Sequence, residues 1–374
     1  MPAEVDIAII GAGVVGLTIA AEVAQWGKGI FVFERNHTFG LETSSRNSGV
    51  IHAGLYHPQN SMKASLCIEG KILLYELCAI HGISHKKLGK LIVAVEESEV
   101  SELENLYQQG EGNGVEGLRL ISRNELKQLE PNVEGVSALL SPSTGIVEPY
   151  SFMRFLYLQA RERGAQFAFN SEIVGIEKVG ARYEVQIRDR EGLSSFIASI
   201  VINAAGLYCD KIAQLAGIDV TQAGYKLNYC KGEYCSLGPR RKHIVNKLIY
   251  PVPKQAGHGI HVTSDIEGRL RLGPNARYVD GIDYQVDETQ KEAFYESVRR
   301  FLPSIELEDL EPDFAGIRPK LQSPGEVFRV FVIAHEDKNG LPGLINLIGI
   351  ESPGLTASPA IAKHVARMVK ELLS

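Results

Sequence analysis

A histidine stands among small and apolar residues in "RNSGVIHAGLYH", residues 46–57. His52 lies between Ile51 and Ala53, with Gly49 and Gly54 on either side. Glycines let a backbone approach a ligand closely, and imidazole exchanges a proton near neutral pH. That pairing suits general-base work on a small bound molecule. The structural alternative is a core histidine in a glycine-rich bend. Two more histidines, His258 and His261, occur in "HGIH". In an extended strand His261 shares a face with Gly259 while His258 points the other way, so the two diverge and make no metal pair. The cysteines, Cys67, Cys78, Cys209, Cys230 and Cys235, are odd in number and contain no C-x-x-C. Such spacing fits reduced thiols in a cytosol and gives no zinc site or disulfide framework.

A second constellation opens the chain. Gly11, Gly13 and Gly16 form G-x-G-x-x-G, with Val14 and Val15 between them, after the β-branched run "VDIAII". The first glycine permits a tight turn, the second lets backbone meet a pyrophosphate, and the third lets helix and strand pack closely. The helix that follows, "LTIAAEVAQWG", would present unpaired N–H groups and its positive dipole end to that pyrophosphate. Glu34 closes the next apolar run, "IFVFER", 23 residues after Gly11, where a carboxylate accepts hydrogen bonds from ribose hydroxyls. Strand, helix, second strand and acid in register indicate dinucleotide binding. NAD and FAD both satisfy this fingerprint.

The elements that position these residues follow from periodicity. Residues 61–81 read as a long amphipathic segment, 89–96 as a strand, 98–109 as a helix, and 148–164 as a helix ending at Gly164. Strand-like runs at 172–178, 182–188 and 196–203 come next; from about 225 to 275 the alternation suggests an antiparallel sheet. A helix at 287–302 and a strand at 327–334 precede a closing strand, turn and helix. Strand, turn and helix at both ends place the termini in one dinucleotide-binding domain, with a substrate domain inserted. The expected divisions are 1–85, 145–215 and 326–374 for the first, and 86–144 and 216–325 for the second. The fold class is α/β, α+β overall.

The chain has 374 residues, 44% of them hydrophobic, and a net charge of −6, which argues against a nucleic-acid partner. No run approaches the ~18–20 apolar residues of a spanning helix. The N-terminus lacks the basic region of a signal peptide. A cytoplasmic protein is expected. The basic run "RRKH" at 240–243 is either a solvated loop or a peripheral membrane contact at the inner face.

Taken together, "IIGAGVVGL", "TSSRNSGVIHAGLY", "GIVEP", "VINAAGLYCDKIA", "AGIRPKL" and "GIESPGLTASPAIA" resemble the FAD-dependent oxidoreductases of the D-amino-acid oxidase, sarcosine oxidase and glycerol-3-phosphate dehydrogenase class. "SGVIHAGLY", "MKASLCIEG", "KGEYCSL", "LIYPVP" and "LGPNA" are most similar to the L-2-hydroxyglutarate dehydrogenases or oxidases within it. The resemblance implies a Rossmann-like FAD-binding domain and oxidation of a small L-2-hydroxy acid by hydride transfer from C2 to flavin N5. It also implies that Arg35, Thr43, Ser44, Ser45, Gly49, Val50 and Ile51 lie along the flavin, Val174 near adenine, and Ala205 and Gly206 under the dinucleotide. Gly349, Gly354, Leu355 and Thr356 would bring helix N–H groups to the flavin O2/N1 edge. With no cysteine after Cys235, FAD is expected to be non-covalent.

By the same resemblance Arg318 clamps the substrate carboxylate and touches cofactor, His52 is the base beside the flavin, His261 orients substrate, and Tyr250 contributes to the substrate site. A dicarboxylate needs a second cation. Lys231 is preferred, then Lys320, which shares a face with Arg318 in an extended segment, with Arg277 as a further candidate. The electron acceptor, whether oxygen, a quinone or a partner flavoprotein, is not legible. The rival activity is an amine or amino-acid oxidase on the same fold.

Overall fold

The computed structural model describes residues 3–238, 241, 243–253 and 259–373. His258, Arg240 and Lys242 lie outside the described residues. The chain divides into two compact units: Met1–Ser45, Pro149–Tyr229 and Arg318–Ser374 form the first, and Arg46–Glu148 with Cys230–Ile317 the second.

The first unit is built on an eight-stranded sheet. Its centre is parallel: Ala3–Ile10 pairs with Gly192–Asn203 on one side and Ile30–Glu34 on the other. Gln166–Phe169 extends it beyond Ile30–Glu34, and Leu344–Ile348 pairs parallel with Gly192–Asn203. The apolar run 7–10 is buried throughout, as expected of a strand covered on both faces. The helix Val14–Val23 has one charged residue, Glu22, and packs against both Pro149–Glu162 and the C-terminal helix Gly354–Leu373. Eight of its ten residues are buried, as a helix this rich in apolar residues requires.

The second unit carries a nine-stranded sheet and a three-stranded one. The expectation of an antiparallel sheet needs one correction. Leu248–Pro251 runs parallel to Lys90–Ala94, because the long connection between them allows a crossover that a hairpin cannot make. The first domain boundary also differs from expectation, falling after Ser45 instead of residue 85. The helix Met62–His81 therefore belongs to the second unit. Its Ile68 side chain fills the space beside Gly54, and the Tyr75 hydroxyl donates to the Ser143 carbonyl at 3.1 Å.

Two elements are shorter than periodicity suggests. The regular helix expected at 287–302 covers Lys291–Val298. The strand expected at 327–334 begins only at Val332, since Val327 is 86% exposed and has no apolar face to cover.

Candidate functional site: a dinucleotide cradle and a buried cation cluster

In the first unit the strand ends converge. The Gly11 amide donates to the Phe33 carbonyl at 2.8 Å, and the Ala204 amide to the Ile10 carbonyl at 2.9 Å. Gly11 has φ +105, and a Cβ there would sit 2.5 Å from the Ala204 carbonyl oxygen. A Cβ on Gly16 would run into the Gly11 carbonyl. Those two glycines make the turn. At Gly13 an added Cβ meets only Ser44 Oγ, at 3.0 Å, and at Gly206 it meets nothing within 4 Å. Space is therefore kept open at the second fingerprint glycine and at the end of the neighbouring strand, where a pyrophosphate and its riboses would lie. The first intrahelical bond runs from Leu17 N to Gly13 O, so the amides of Val14, Val15 and Gly16 precede the ladder. Of these, Val14 N donates to Ser44 Oγ at 2.9 Å.

Glu34 is 8% exposed and accepts from Ala12 N and from Asn36 N, each at 2.9 Å. The carboxylate is thereby oriented, with acceptor sites remaining for ribose hydroxyls. Arg35 lies outside this contact, its guanidinium 4.0 Å from the Tyr208 ring centroid. Ser171 N donates to Glu34 O at 2.9 Å, which ties the strand carrying Val174 to the same edge. The ladder shifts register between Ile173 and Gly175, so Val174 is the extra residue of a bulge, a device that re-aims one residue. Thr43 and Ser45 lie on the turn-rich stretch that ends this segment of the unit.

Arg318 and Lys320 occupy alternate positions of the strand Leu310–Lys320 and share a face. Gly349, at φ +70, abuts the end of that strand, since a Cβ on it would lie 2.7 Å from Leu321 Cγ. The turn leading to Gly354, Leu355 and Thr356 is thus beside the arginine's strand. Lys320 Nζ pairs with Glu351 at 3.2 Å, so its charge is already balanced. These residues fit a bound dinucleotide.

In the second unit Gly49, Val50, Ile51 and His52 form and follow the strand Val50–Ile51, which pairs with Gly145–Val147. Gly49 and Gly54 have φ +64 and +100, the left-handed region that favours glycine. His52 is half-buried, and its carbonyl accepts the Cys67 thiol at 3.6 Å. Tyr250, on Leu248–Pro251, stacks on His261 with ring centroids 3.5 Å apart. Lys231 is paired within the protein. It is 1% exposed and contacts Asp283 Oδ2 at 2.9 Å, the Gln285 carbonyl, and Glu233 at 3.7 Å. Arg277 reaches the same Glu233 at 3.7 Å. Where a partner for a second carboxylate was expected, the structure places an ammonium surrounded by acceptors of a buried ion-pair network.

Sequence reasoning missed a cluster under the histidine run. Lys63, Cys67 and Lys71 fall at i, i+4 and i+8 on one face of Met62–His81, and Lys90 heads the strand Lys90–Ala94. The three lysines are 2%, 7% and 1% exposed. Lys90 Nζ lies 4.3 Å from the Tyr56 ring centroid and 4.7 Å from that of Tyr250. Among the described residues no carboxylate or hydrogen-bond acceptor meets Lys90 Nζ or Lys71 Nζ. Burial pushes the Lys90 ammonium down to about 7, against the raising influence of Cys67. Burial likewise lowers Lys71, and raises the Cys67 thiol to about 12. The signal was available: a lysine opening a wholly apolar run, and two more at helical spacing.

A glycine cradle at parallel strand ends, with a carboxylate closing the second strand, defines a dinucleotide-binding fold. The chain belongs to the family of FAD dependent oxidoreductases, whose pattern matches residues 6–368, and FAD is its cofactor. It is 38% identical to the mitochondrial L-2-hydroxyglutarate dehydrogenase of Arabidopsis thaliana, over 97% of this chain and 83% of that protein. Identity to the glycerol 3-phosphate dehydrogenase of Caloramator mitchellensis is 32%, over 98% of this chain and 74% of the relative. The structure is similar to the dithionite-reduced, FAD-bound L-α-glycerophosphate oxidase of Mycoplasma pneumoniae, with TM-score 0.87, 29% identity, and coverage of 98% and 95%. No helix of the described residues is long and apolar enough to cross a membrane.

Proposed function

We propose that the chain oxidises L-2-hydroxyglutarate to 2-oxoglutarate. The observation that carries this reading is the 38% identity to an L-2-hydroxyglutarate dehydrogenase along 97% of the chain. The half-buried His52, between two left-handed glycines, supports it chemically. Arg318 holds the carboxylate beside the reacting carbon, where a guanidinium fixes orientation as well as charge. His52 takes the proton of the C2 hydroxyl, and His261, held flat on Tyr250, orients the substrate. FAD, when bound, supplies the acceptor for the hydride that leaves C2. It is held non-covalently by the cradle around Gly13 and Glu34. The electrons pass on to oxygen, a quinone or a partner flavoprotein, and the protein is cytoplasmic, in keeping with five cysteines outside any disulfide.

A second reading, oxidation of glycerol 3-phosphate, is favoured by the likeness to the Caloramator and Mycoplasma proteins. Anaerobic flavin bleaching separates the two. L-2-hydroxyglutarate should reduce the flavin at least ~10-fold faster than its D-enantiomer, lactate, 2-hydroxybutyrate or glycerol 3-phosphate, since one charge-assisted contact is worth about 1.5–3 kcal/mol. Faster bleaching by glycerol 3-phosphate would replace the first reading with the second.

A further inference from the structure

We propose that Lys90 binds the second carboxylate of the dicarboxylate substrate, the one remote from the reacting carbon. The inference rests on the reading of L-2-hydroxyglutarate as substrate. A dicarboxylate buries two negative charges, and each of them needs its own cation. The other candidate lysines are already committed: Lys320 to Glu351, and Lys231 to Asp283 and Glu233. Lys90 is different. Its side chain is 1% exposed, and its ammonium faces the rings of Tyr56 and Tyr250 with no carboxylate among the described residues. A ring face returns only part of the hydration a buried ammonium loses, so the site is completed by an anion.

Its neighbours point to the same ligand. Tyr56 is four residues beyond His52, the proposed base, and Tyr250 is stacked on His261. The Cys67 thiol that donates to the His52 carbonyl sits in the field of Lys90, Lys71 and Lys63. A positive field is thus packed under the catalytic run, in surroundings of low dielectric where a carboxylate–ammonium pair is strong. A monocarboxylate would leave the buried Lys90 without its partner, and that is a source of selectivity as well as affinity.

The test uses the holoenzyme with L-2-hydroxyglutarate and L-2-hydroxyvalerate, which has a methyl group in place of the remote carboxylate. Lys90→Met should lower the ratio of kcat/KM for the diacid over the monoacid by roughly 10- to 100-fold, chiefly through KM. Lys90→Arg should restore part of it. A wild-type flavin that L-2-hydroxyglutarate fails to reduce refutes the substrate reading itself. A wild-type preference that survives intact in Lys90→Met refutes only the assignment of Lys90.

Binding to wild-type enzyme gives an independent measure should the variant not fold. Glutarate and valerate are titrated from pH 6 to 9 by their perturbation of the flavin spectrum. The groups facing Lys90 are Tyr56, Tyr250 and Cys67; Lys63 and Lys71 act on Cys67, Glu116 and Lys87 act on Lys71, and His261 stacks on Tyr250. Its strand partners, Leu248 and Ser141, carry no charge. Burial raises the thiol and both phenols out of this range. Protonation of a histidine would act on both ligands. Glutarate alone should therefore weaken relative to valerate above pH 7, by up to about tenfold per pH unit, as the Lys90 proton is lost. Parallel pH profiles for the two ligands would overturn the inference.

Discussion

The imidazole of His261 lies flat against the ring of Tyr250, with centroids 3.5 Å apart and planes 9° from parallel. Tyr250 is itself 2% exposed and fixed in a buried strand, so the histidine has one face covered and only its edges for polar contact. That placement suits a group that orients substrate more than one that must follow a moving proton. His52→Ala should keep FAD yet slow the reductive half-reaction by roughly 10²–10⁴-fold, the usual worth of general-base catalysis. His261→Ala should raise KM and change the reduction rate less than ~10-fold. Stopped-flow reduction of both variants decides between them, and the opposite pattern would move the base to His261.

The fingerprint glycines separate folding from cofactor binding. Gly13→Val places its side chain toward Ser44 and otherwise open space, so the protein should fold and be colourless. Gly11→Val combines φ +105 with a 2.5 Å approach to the Ala204 carbonyl. The backbone penalty alone is about 1–2 kcal/mol, and the clash adds to it. Circular dichroism melts beside the 450 nm flavin band should show a folded Gly13→Val apoprotein and a poorly folded Gly11→Val. A yellow Gly13→Val would remove the pyrophosphate from that position.

Much of this was legible in the sequence, for identifiable reasons. Gly11, Gly13, Gly16 and Glu34 are close in the chain and obey local rules, so their arrangement could be read before any fold. The helix Met62–His81 could be read as a helix, but not as part of the second unit, because its burial depends on residues 54 and 143. Lys231 misled for a related reason. Its chain neighbours show a cation near Glu233, whereas Asp283 and Gln285, which saturate it, are some fifty residues away. Lys90 escaped notice because a lysine is usually a solvated charge. Only the packing of Tyr56 and Tyr250 around it shows otherwise.

Lys231 should prove a residue of stability. Glu233 is 1% exposed and accepts from Asn275 Nδ2 and Asp287 N, each at 2.9 Å, besides its contact with Lys231. Lys231→Met removes one cation and leaves a buried carboxylate undercompensated, which costs about 3–5 kcal/mol in such pairs. Urea unfolding should show that loss. The double variant Lys231→Met, Glu233→Gln should recover a large share, while the selectivity between diacid and monoacid follows neither change. Loss of diacid selectivity in a fully stable Lys231→Met would return the lysine to the substrate site.

Lys90 should behave in the opposite way. Its ammonium is pushed from an ordinary 10.5 down to about 7 by burial, so the native state releases this proton more readily than the unfolded chain. Below about pH 7 both states hold the proton, and the native state bears the full cost of a buried charge. Between about 7 and 10.5 the unfolded chain holds more protons, so this group's contribution to stability rises with pH across that window. Lys90→Met deletes the penalty. In the absence of substrate it should stabilise the protein by a few kcal/mol at pH 6, and the gain should shrink steadily toward pH 10. Adding the diacid should narrow the gap at pH 6 from the other side, by stabilising the wild type more than the variant, because ligand binding to the native state raises its stability. Melting curves of both proteins at pH 6, 8 and 9.5, with and without L-2-hydroxyglutarate, provide the check. A Lys90→Met protein that is less stable than wild type at pH 6 would mean that the tyrosine rings compensate the charge by themselves, and a buried cation of that kind needs no anionic ligand to explain it.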